Sequence, residues 1–369
     1  SIPFTEVSEY TGFPEMMDGR VKTLHPRVHG GLLGRRGVDD RIMQEQGIVP
    51  IDLLVVNLYP FAEMSAQSLP LERLVEYIDI GGPALIRAAA KNYRDVAVIS
   101  DPGQYPLVAR ALEHGGFTPE ERLALARAAF ARTAAYDAAI SNYLHGLGKD
   151  FPDILTLQFS NGRTLRYGEN PHQKGAVYGT AGIAGQQTIQ GKQMSYNNYL
   201  DLHAAAGLVR EFSEPAAVVV KHNNPCGAAV GSTLLEAYIL ARDTDPVSAY
   251  GSVVALNREV DSALAEEISR TFVEVVAAPS FSSDSREILR KKENLRLLSL
   301  PEPRVSREIR TIDGGILVQE TPPYQEEWKV VTDRDATPGE FQAMRFAWKV
   351  CAHTKSNAIV FAGNNRTLG

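Results

Sequence analysis

Apolar residues along this chain fall either into short uninterrupted runs or into stripes at helical spacing, and the two patterns alternate. Residues 216–220 are small or β-branched throughout, as expected of a strand buried on both faces. Residues 51–61, IDLLVVNLYPF, form a longer apolar run closed by Asn57, Tyr59 and Pro60. This run reads as a central parallel strand with polar groups at its carboxyl end, where open α/β sheets bind ligands. Segments 96–99, 252–256, 274–278 and 358–362 read as further strands. Helical spacing predicts helices over about 69–78, 84–91, 200–212, 233–241 and 263–272. Two capping boxes, Thr118-Pro119-Glu120-Glu121 and Thr337-Pro338-Gly339-Glu340, open helices running to about 144 and 352. Segment 282–294 is charged and reads as surface, and Gly314-Gly315 suits a hairpin. Strands and helices alternate over 1–145, which gives an α/β unit with a parallel sheet. The segment 146–153, with Gly148, Lys149 and Pro152, reads as a linker to a second region, 154–369. A helix that feeds a strand, with Lys, His and Asn at the junction, occurs around 221–224 and again around 353–357. This is a faint internal repeat.

Polar clusters without periodicity interrupt this pattern. The first spans 12–31, with Arg20, Lys22, His25 and several glycines, and reads as a loop stiffened by Pro14 and Pro26 that binds an anion. In Asp79-Ile80-Gly81-Gly82-Pro83 the glycines precede a helix and leave its first amides open to an anion. Arg87 and Lys91 share one face of that helix. A third cluster, 165–173, offers Arg166 for a phosphate or carboxylate. Tyr136 and Tyr143 read as packing residues.

The most pointed stretch is Lys221-His222-Asn223-Asn224-Pro225-Cys226-Gly227, directly behind the 216–220 run. Alternation along a strand sends Lys221 and His222 to opposite faces, so they share a cavity only where the strand breaks. Pro225 and Gly227 supply that break. Two partly desolvated cations depress each other's pKa, which places a base beside a proton donor. A polar turn that merely faces water is the alternative reading of the same seven residues.

Composition narrows the class. At 369 residues two or more domains are expected, and 22% charged with 44% apolar residues is the balance of a folded chain. The net charge of −6 argues against a dedicated nucleic-acid surface and leaves room for a local phosphate pocket. Only Cys226 and Cys351 occur, outside any CxxC pattern, so neither a disulfide framework nor structural zinc is expected. No apolar run reaches transmembrane length and no signal peptide opens the chain, which predicts a cytoplasmic protein with no membrane partner.

Six motifs, in order, run across almost the whole chain: GFPEMMDGRVKTLHPRVHGG, NLYPF, IDIGGPALIRAAAKN, RYGENPHQ, SYNNYLDL and VKHNNPCGAAVG. Together they resemble the bifunctional purine biosynthesis enzymes that combine AICAR transformylase with IMP cyclohydrolase. The resemblance implies a methylglyoxal-synthase-like parallel-sheet domain over 1–145. Tandem cytidine-deaminase-like α/β units without zinc would follow over 154–369. The small-molecule substrates would be AICAR, formyl-AICAR and the co-substrate 10-formyltetrahydrofolate, with no metal required, in a homodimer whose transformylase pockets are shared between subunits. For ring closure it implies Lys22, Tyr59, Asp79 and Lys91 as catalytic residues, with Arg20, Asn57, Gly81 and Gly82 holding nucleotide. For formyl transfer it implies Lys221, His222 and Asn357, with Arg166, Tyr167, Asn197, Gly251 and Glu274 at substrate contacts. Members of the family normally begin with a further glycine- and threonine-rich phosphate loop and continue past Asn364-Asn365-Arg366. Both domains are therefore expected to be incomplete, the first at its amino end and the second at its carboxyl end. A non-catalytic fragment or assembly scaffold of such an enzyme is one alternative. A zinc nucleoside deaminase, suggested by Pro225-Cys226, is another; it needs an HxE ahead of PCxxC, whereas Ala229 stands at the second cysteine position and no HxE precedes it.

Overall fold

The computed structural model describes residues 3–302, 307–321 and 327–368. Its contacts divide the chain into two units, Ser1–Gln158 and Phe159–Gly369. In the first, Leu53–Val55 and Ala97–Ile99 pair in parallel, with Leu54 opposite Val98. Helices Pro26–Leu33, Gly81–Lys91 and Pro119–Gly146 close over this pair, around a core in which Leu32, Ile86, Ala89, Val98 and Ala129 are fully buried. The long helix starts where its sequence demands. Thr118 accepts the Glu121 N–H through its hydroxyl, the Glu121 carboxylate accepts the Thr118 N–H, and Pro119 occupies the first turn.

Three expectations change in this unit. The 51–61 run supplies only the three-residue strand Leu53–Val55, paired among the described residues with Ala97–Ile99 alone rather than central in a sheet, and Phe61 opens the helix Phe61–Ser65. Phe61 is buried edge-on against Tyr143 at 5.8 Å, so this tyrosine packs as expected. The helix expected over 69–78 is split into Leu71–Leu74 and a 3₁₀ turn at Val75–Tyr77, after which Ile78 is extended. Nor is 12–31 one loop. Pro26 stands in the first turn of the helix Pro26–Leu33, and the His25 ring accepts the Arg27 N–H at 3.2 Å. Gly31 serves close packing there, since a Cβ would lie 2.6 Å from the Val49 carbonyl oxygen.

The second unit is built on five strands in the order Asn224–Val230, Ala216–Lys221, Ser252–Leu256, Val273–Ala278, Arg296–Ser299. The first two junctions are antiparallel and the last two parallel. Ala217, Val219, Val254 and Val276 pack against helices Leu234–Arg242 and Ser262–Ser269. Their neighbours Val218, Val220 and Ala255 face helices Tyr196–Val209 and Pro338–Ala352. Burial on both faces explains why 216–220 is uniformly apolar rather than alternating.

Here too the sequence reading needs amendment. The 282–294 segment holds the helix Ser283–Arg290, whose Leu289 is fully buried, so it is not wholly surface. The hairpin of Arg307–Ile312 and Gly315–Glu320 turns on Asp313 and Gly314 rather than on the two glycines, with Ile312 opposite Gly315. Segment 358–362 forms no strand; only Ala362 makes a bridge, to Thr367. The chain reverses there and lies along the free edge of Asn224–Val230, with the Val230 N–H donating to the Asn365 carbonyl. The helix-to-strand repeat therefore lacks its second strand among the described residues.

Candidate functional site

Each unit gathers polar residues at one place. In the first, Met16 and Val21 exchange backbone hydrogen bonds of 3.1 and 3.3 Å, and Met17, Asp18 and Gly19 between them are left-handed, with φ of 56°, 54° and 87°. This tight hairpin brings Arg20 and Lys22 to a cavity of about 530 Å³ that is also lined by Tyr59, Asp79, Gly81 and Gly82. The Lys22 ammonium lies 2.8 Å from the Glu15 carboxylate. Hydrogen bonding and charge from Glu15 hold the Lys22 pKa above its ordinary value. Arg20 is paired with Glu76, whose carboxylate raises the guanidinium pKa by hydrogen bonding.

Asp79 is fixed from two sides. Its carboxylate accepts the Gly82 N–H at 2.7 Å, and its own N–H donates to the Tyr136 hydroxyl at 2.7 Å. That hydroxyl donates in turn to the Tyr77 carbonyl at 2.8 Å. Burial raises the Tyr136 pKa, so the phenol keeps its proton. A Cβ on Gly82 would fall 2.3 Å from the Asp79 carboxylate, and one on Gly81 would fall 2.8 Å from the Thr23 hydroxyl. Gly82 thus lets an aspartate fold over the helix start, and its amide is not left open to an anion as expected. Tyr136 packs, as its sequence context suggests, and also positions Asp79.

Two expected residues are not among the cavity's lining, which includes Val56 and Leu85. Lys91 ends the helix that Gly81 begins, six residues and about 9 Å along the axis beyond the cavity-lining Leu85, and is exposed. The Asn57 amide donates to the Tyr105 hydroxyl at 3.3 Å. Arg87 and Lys91 are both exposed on one face of the helix Gly81–Lys91, and the Arg87 guanidinium also sits 5.7 Å from the Phe130 ring centre.

In the second unit the break after 216–220 falls earlier than expected. His222 and Asn223 make the reversal themselves, with φ of 55° and 63°, and Lys221 stands opposite Asn224 as in a two-residue hairpin. Pro225 and Gly227 belong to the returning strand. Gly227 is needed for close approach, because a Cβ would lie 1.9 Å from the Ala241 carbonyl oxygen. The Lys221 ammonium donates to the Tyr250 carbonyl at 2.8 Å. Gly251 follows with φ of 76°, its N–H donating to the Phe272 carbonyl at 2.8 Å.

Around this turn the other expected residues form a polar shelf. The Asn197 amide donates to the Glu169 carbonyl at 3.2 Å, which ties the helix Tyr196–Val209 to segment 165–173. Arg166 lies 5.3 Å from the Tyr167 ring centre. Glu274 accepts from the Asn198 amide at 2.8 Å and stands 3.7 Å from the Arg296 guanidinium. Arg296 is buried, with its pKa lowered by desolvation. Asn357 is reached less directly. Its side-chain oxygen accepts from Ser356, and two residues back the Lys355 N–H donates to Asn224 Oδ1 at 3.2 Å. The shelf sits at the amino ends of the parallel strands, because the antiparallel first strand ends where the next three begin. Open α/β sheets more often bind at the opposite end.

Sequence reasoning did not single out Asp201 or Arg296. Asp201 lies three residues after Asn198 and four after Asn197, so polar positions at helical spacing were the available signal. Its carboxylate accepts the Asn223 N–H at 2.7 Å. Desolvation pushes its pKa up, while the turn amides and His222 pull it down. Cys226 is no thiolate. Burial pushes it up to about 11, and its thiol donates to the Val219 carbonyl. Among the described residues no three His, Cys, Asp or Glu side chains are grouped so as to hold a metal ion. No helix among them is long and apolar enough to cross a membrane.

Comparison with known proteins gives a consistent result. The family model described as AICARFT/IMPCHase bienzyme matches residues 89–369, and that of the MGS-like domain matches residues 1–84. The bifunctional purine biosynthesis protein PurH of Myxococcus xanthus (strain DK1622) is 50% identical over 390 aligned residues, covering 100% of this chain and 76% of its own. PurH of Magnetococcus marinus (strain MC-1) is 51% identical over 389, covering 99% and 73%. A crystal structure of ForH is 40% identical over 37% of this chain and 73% of its own, with a TM-score of 0.33, too low to carry an argument.

Proposed function

Because this chain belongs to the AICARFT/IMPCHase bienzyme family, we propose that it performs both reactions of that bienzyme in purine biosynthesis. It transfers a formyl group from 10-formyltetrahydrofolate to the 5-amino group of AICAR, and it closes formyl-AICAR to IMP with loss of water. Ring closure belongs to the methylglyoxal-synthase-like region at 1–145, and formyl transfer to 154–369 beyond the 146–153 connection.

The observation that carries this reading is that each unit collects the side chains one of the two reactions needs. Ring closure joins the carboxamide nitrogen to the formyl carbon, and negative charge develops on the formyl oxygen before water leaves. Lys22, kept protonated by Glu15, and the Tyr59 hydroxyl stand at the same cavity to meet that charge. Asp79, held by Tyr136 and Gly82, relays protons, and Arg20 takes the nucleotide phosphate. Lys91, on the same helix as the cavity-lining Leu85 and six residues beyond it, supplies a further cation for the charge on the formyl oxygen.

Formyl transfer starts from a poor nucleophile, since the 5-amino lone pair is delocalised into the imidazole. His222 accepts a proton from that amine as its nitrogen attacks the formyl carbon. Lys221 stabilises the carbonyl oxygen and protonates the departing folate nitrogen, with the Asn357 amide as a second donor. Arg166, Tyr167, Asn197, Gly251 and Glu274 hold the nucleotide. The enzyme acts in the cytoplasm as a homodimer.

In the full-length protein, Lys221→Ala and His222→Ala each lower formyl transfer by at least about a hundredfold and leave ring closure near wild type, while Lys22→Ala does the reverse. Full transferase turnover in His222→Ala overturns the assignment of the base.

A further inference from the structure

Glu274 is the acidic side chain among the nucleotide contacts of the second unit, and it is gripped by one oxygen. Its Oε2 accepts the Asn198 amide at 2.8 Å and lies 3.7 Å from the Arg296 guanidinium, while Oε1 makes no hydrogen bond among the described residues. Both gripping side chains are themselves fixed. Asn198 is buried, its Oδ1 accepts the Ser195 N–H at 3.1 Å, and its own N–H donates to the Ser195 hydroxyl at 3.1 Å. The capping box therefore decides which end of the amide meets Glu274: the oxygen is taken by the helix start, and the NH2 group is left for the carboxylate. Arg296 stands opposite Val275 in the pairing of the last two strands, one residue from Glu274. Segment 189–193 lies over that sheet edge, so closely that a Cβ on Gly191 would fall 2.3 Å from the Leu295 carbonyl oxygen. The covered guanidinium donates from Nε to the Gln193 carbonyl at 3.1 Å and from Nη1 to the Glu274 carbonyl at 3.5 Å. A buried guanidinium without a carboxylate at hydrogen-bonding distance is costly to keep, and a neutral side chain would fill the same space at less cost. What the cation does here is hold one oxygen of a partly exposed glutamate.

We propose that Asn198 and Arg296 are positioning residues for the nucleotide of formyl transfer, clamping Glu274 Oε2 so that Oε1 is presented to a donor group of AICAR. The proposal rests on the reading of Glu274 as a substrate contact and adds what orients it. A glutamate free to turn loses its rotamer freedom when the ligand arrives, whereas one already clamped lost it on folding, so more of the contact's strength is returned as affinity. The effect belongs to binding, which separates it from Lys221 and His222 at the chemical step.

The test is a double-mutant cycle in the full-length enzyme between Asn198→Asp and Glu274→Ala, read as the KM for AICAR and the kcat of formyl transfer. Aspartate keeps the oxygen that accepts the Ser195 N–H and puts a second anion where the amide donor stood, which turns the Glu274 carboxylate away. Asn198→Asp is expected to raise the KM about tenfold with kcat within about twofold of wild type, and Glu274→Ala to do the same. In the Glu274→Ala background Asn198→Asp adds less than about twofold, because no carboxylate is left to orient. Ring closure stays unchanged throughout. Arg296→Met, which leaves the helix cap alone, raises the KM in the same direction and carries the same cycle if Asn198→Asp does not fold. A wild-type KM in Asn198→Asp beside a raised KM in Glu274→Ala overturns the proposal and leaves Glu274 as a contact. An equal effect of Asn198→Asp with and without Glu274 overturns it too, since the asparagine then acts elsewhere. If Glu274→Ala itself keeps the wild-type KM, the reading beneath the proposal is what fails.

Discussion

Removing one oxygen from the long helix tests how far the first cavity depends on it. Tyr136→Phe keeps the ring that packs in the core and deletes the hydroxyl between the Asp79 N–H and the Tyr77 carbonyl, at 2.7 and 2.8 Å. Tyr136 is buried, and Tyr77 and Asp79 are partly buried. Leaving a buried donor or acceptor unsatisfied costs about 1–3 kcal/mol each. Partial exposure lets water reach one of the two groups, so the sum falls toward the lower end, about 2 kcal/mol. The same change frees the backbone on one side of Asp79, whose carboxylate is then held through Gly82 alone. Loosening a reacting group by a fraction of an ångström costs about tenfold or more in rate. Urea unfolding followed by tyrosine fluorescence measures the first quantity, and the absorbance change on conversion of formyl-AICAR to IMP measures the second. Formyl transfer on the same preparation serves as the control and stays within about twofold. Wild-type ring closure together with an unmoved unfolding midpoint refutes the argument that this hydroxyl positions Asp79.

Two further tests address the second unit. Gly227→Ala forces a methyl to within 1.9 Å of the Ala241 carbonyl oxygen, so strand and helix must separate; overpacking of this kind costs about 1–3 kcal/mol or more, and a denaturation midpoint equal to wild type contradicts it. Glu340 is held down to about 2, first by its hydrogen bond to Arg334 and then by Thr337, against an ordinary value of 4.5. A folded pKa below the unfolded one stabilises above the unfolded value, and that stability is lost as pH falls through the folded one. The melting temperature of Glu340→Gln is therefore expected below wild type near neutral pH, with a gap that narrows as pH falls below about 5 and closes only near the folded value of about 2. A gap independent of pH rules out the carboxylate as its cause.

The local signals that were legible share a physical character. Thr118 and Thr337 carry capping boxes readable in four residues, and both open helices where expected. The 216–220 run has no polar residue, and only a strand buried on both faces needs that. What could not be read depends on partners distant in sequence. Proline at position 26 is compatible with a stiff loop or with a first helical turn, and the packing of Gly31 against Val49 favours the helix. His222 and Asn223 carry no glycine to announce a turn, and the acceptor that stabilises it is Asp201, twenty-two residues earlier. In the candidate sites, motif-borne residues such as Lys22, Asp79 and His222 were named from sequence. Their supports, Tyr136, Asp201 and Arg296, act through contacts with residues distant in sequence.

The backbone shape at His222 sets folding and turnover at odds in one codon. Left-handed φ is adopted readily by glycine or asparagine and less so by histidine. Replacement by either would ease formation of the reversal between the sheet's first two strands while discarding the imidazole. A search for sturdier variants by random mutation and heat challenge, without selection for formyl transfer, would enrich such replacements at position 222. The least evolvable part of this scaffold is then the pivot of its hairpin, where robustness and chemistry ask for different side chains.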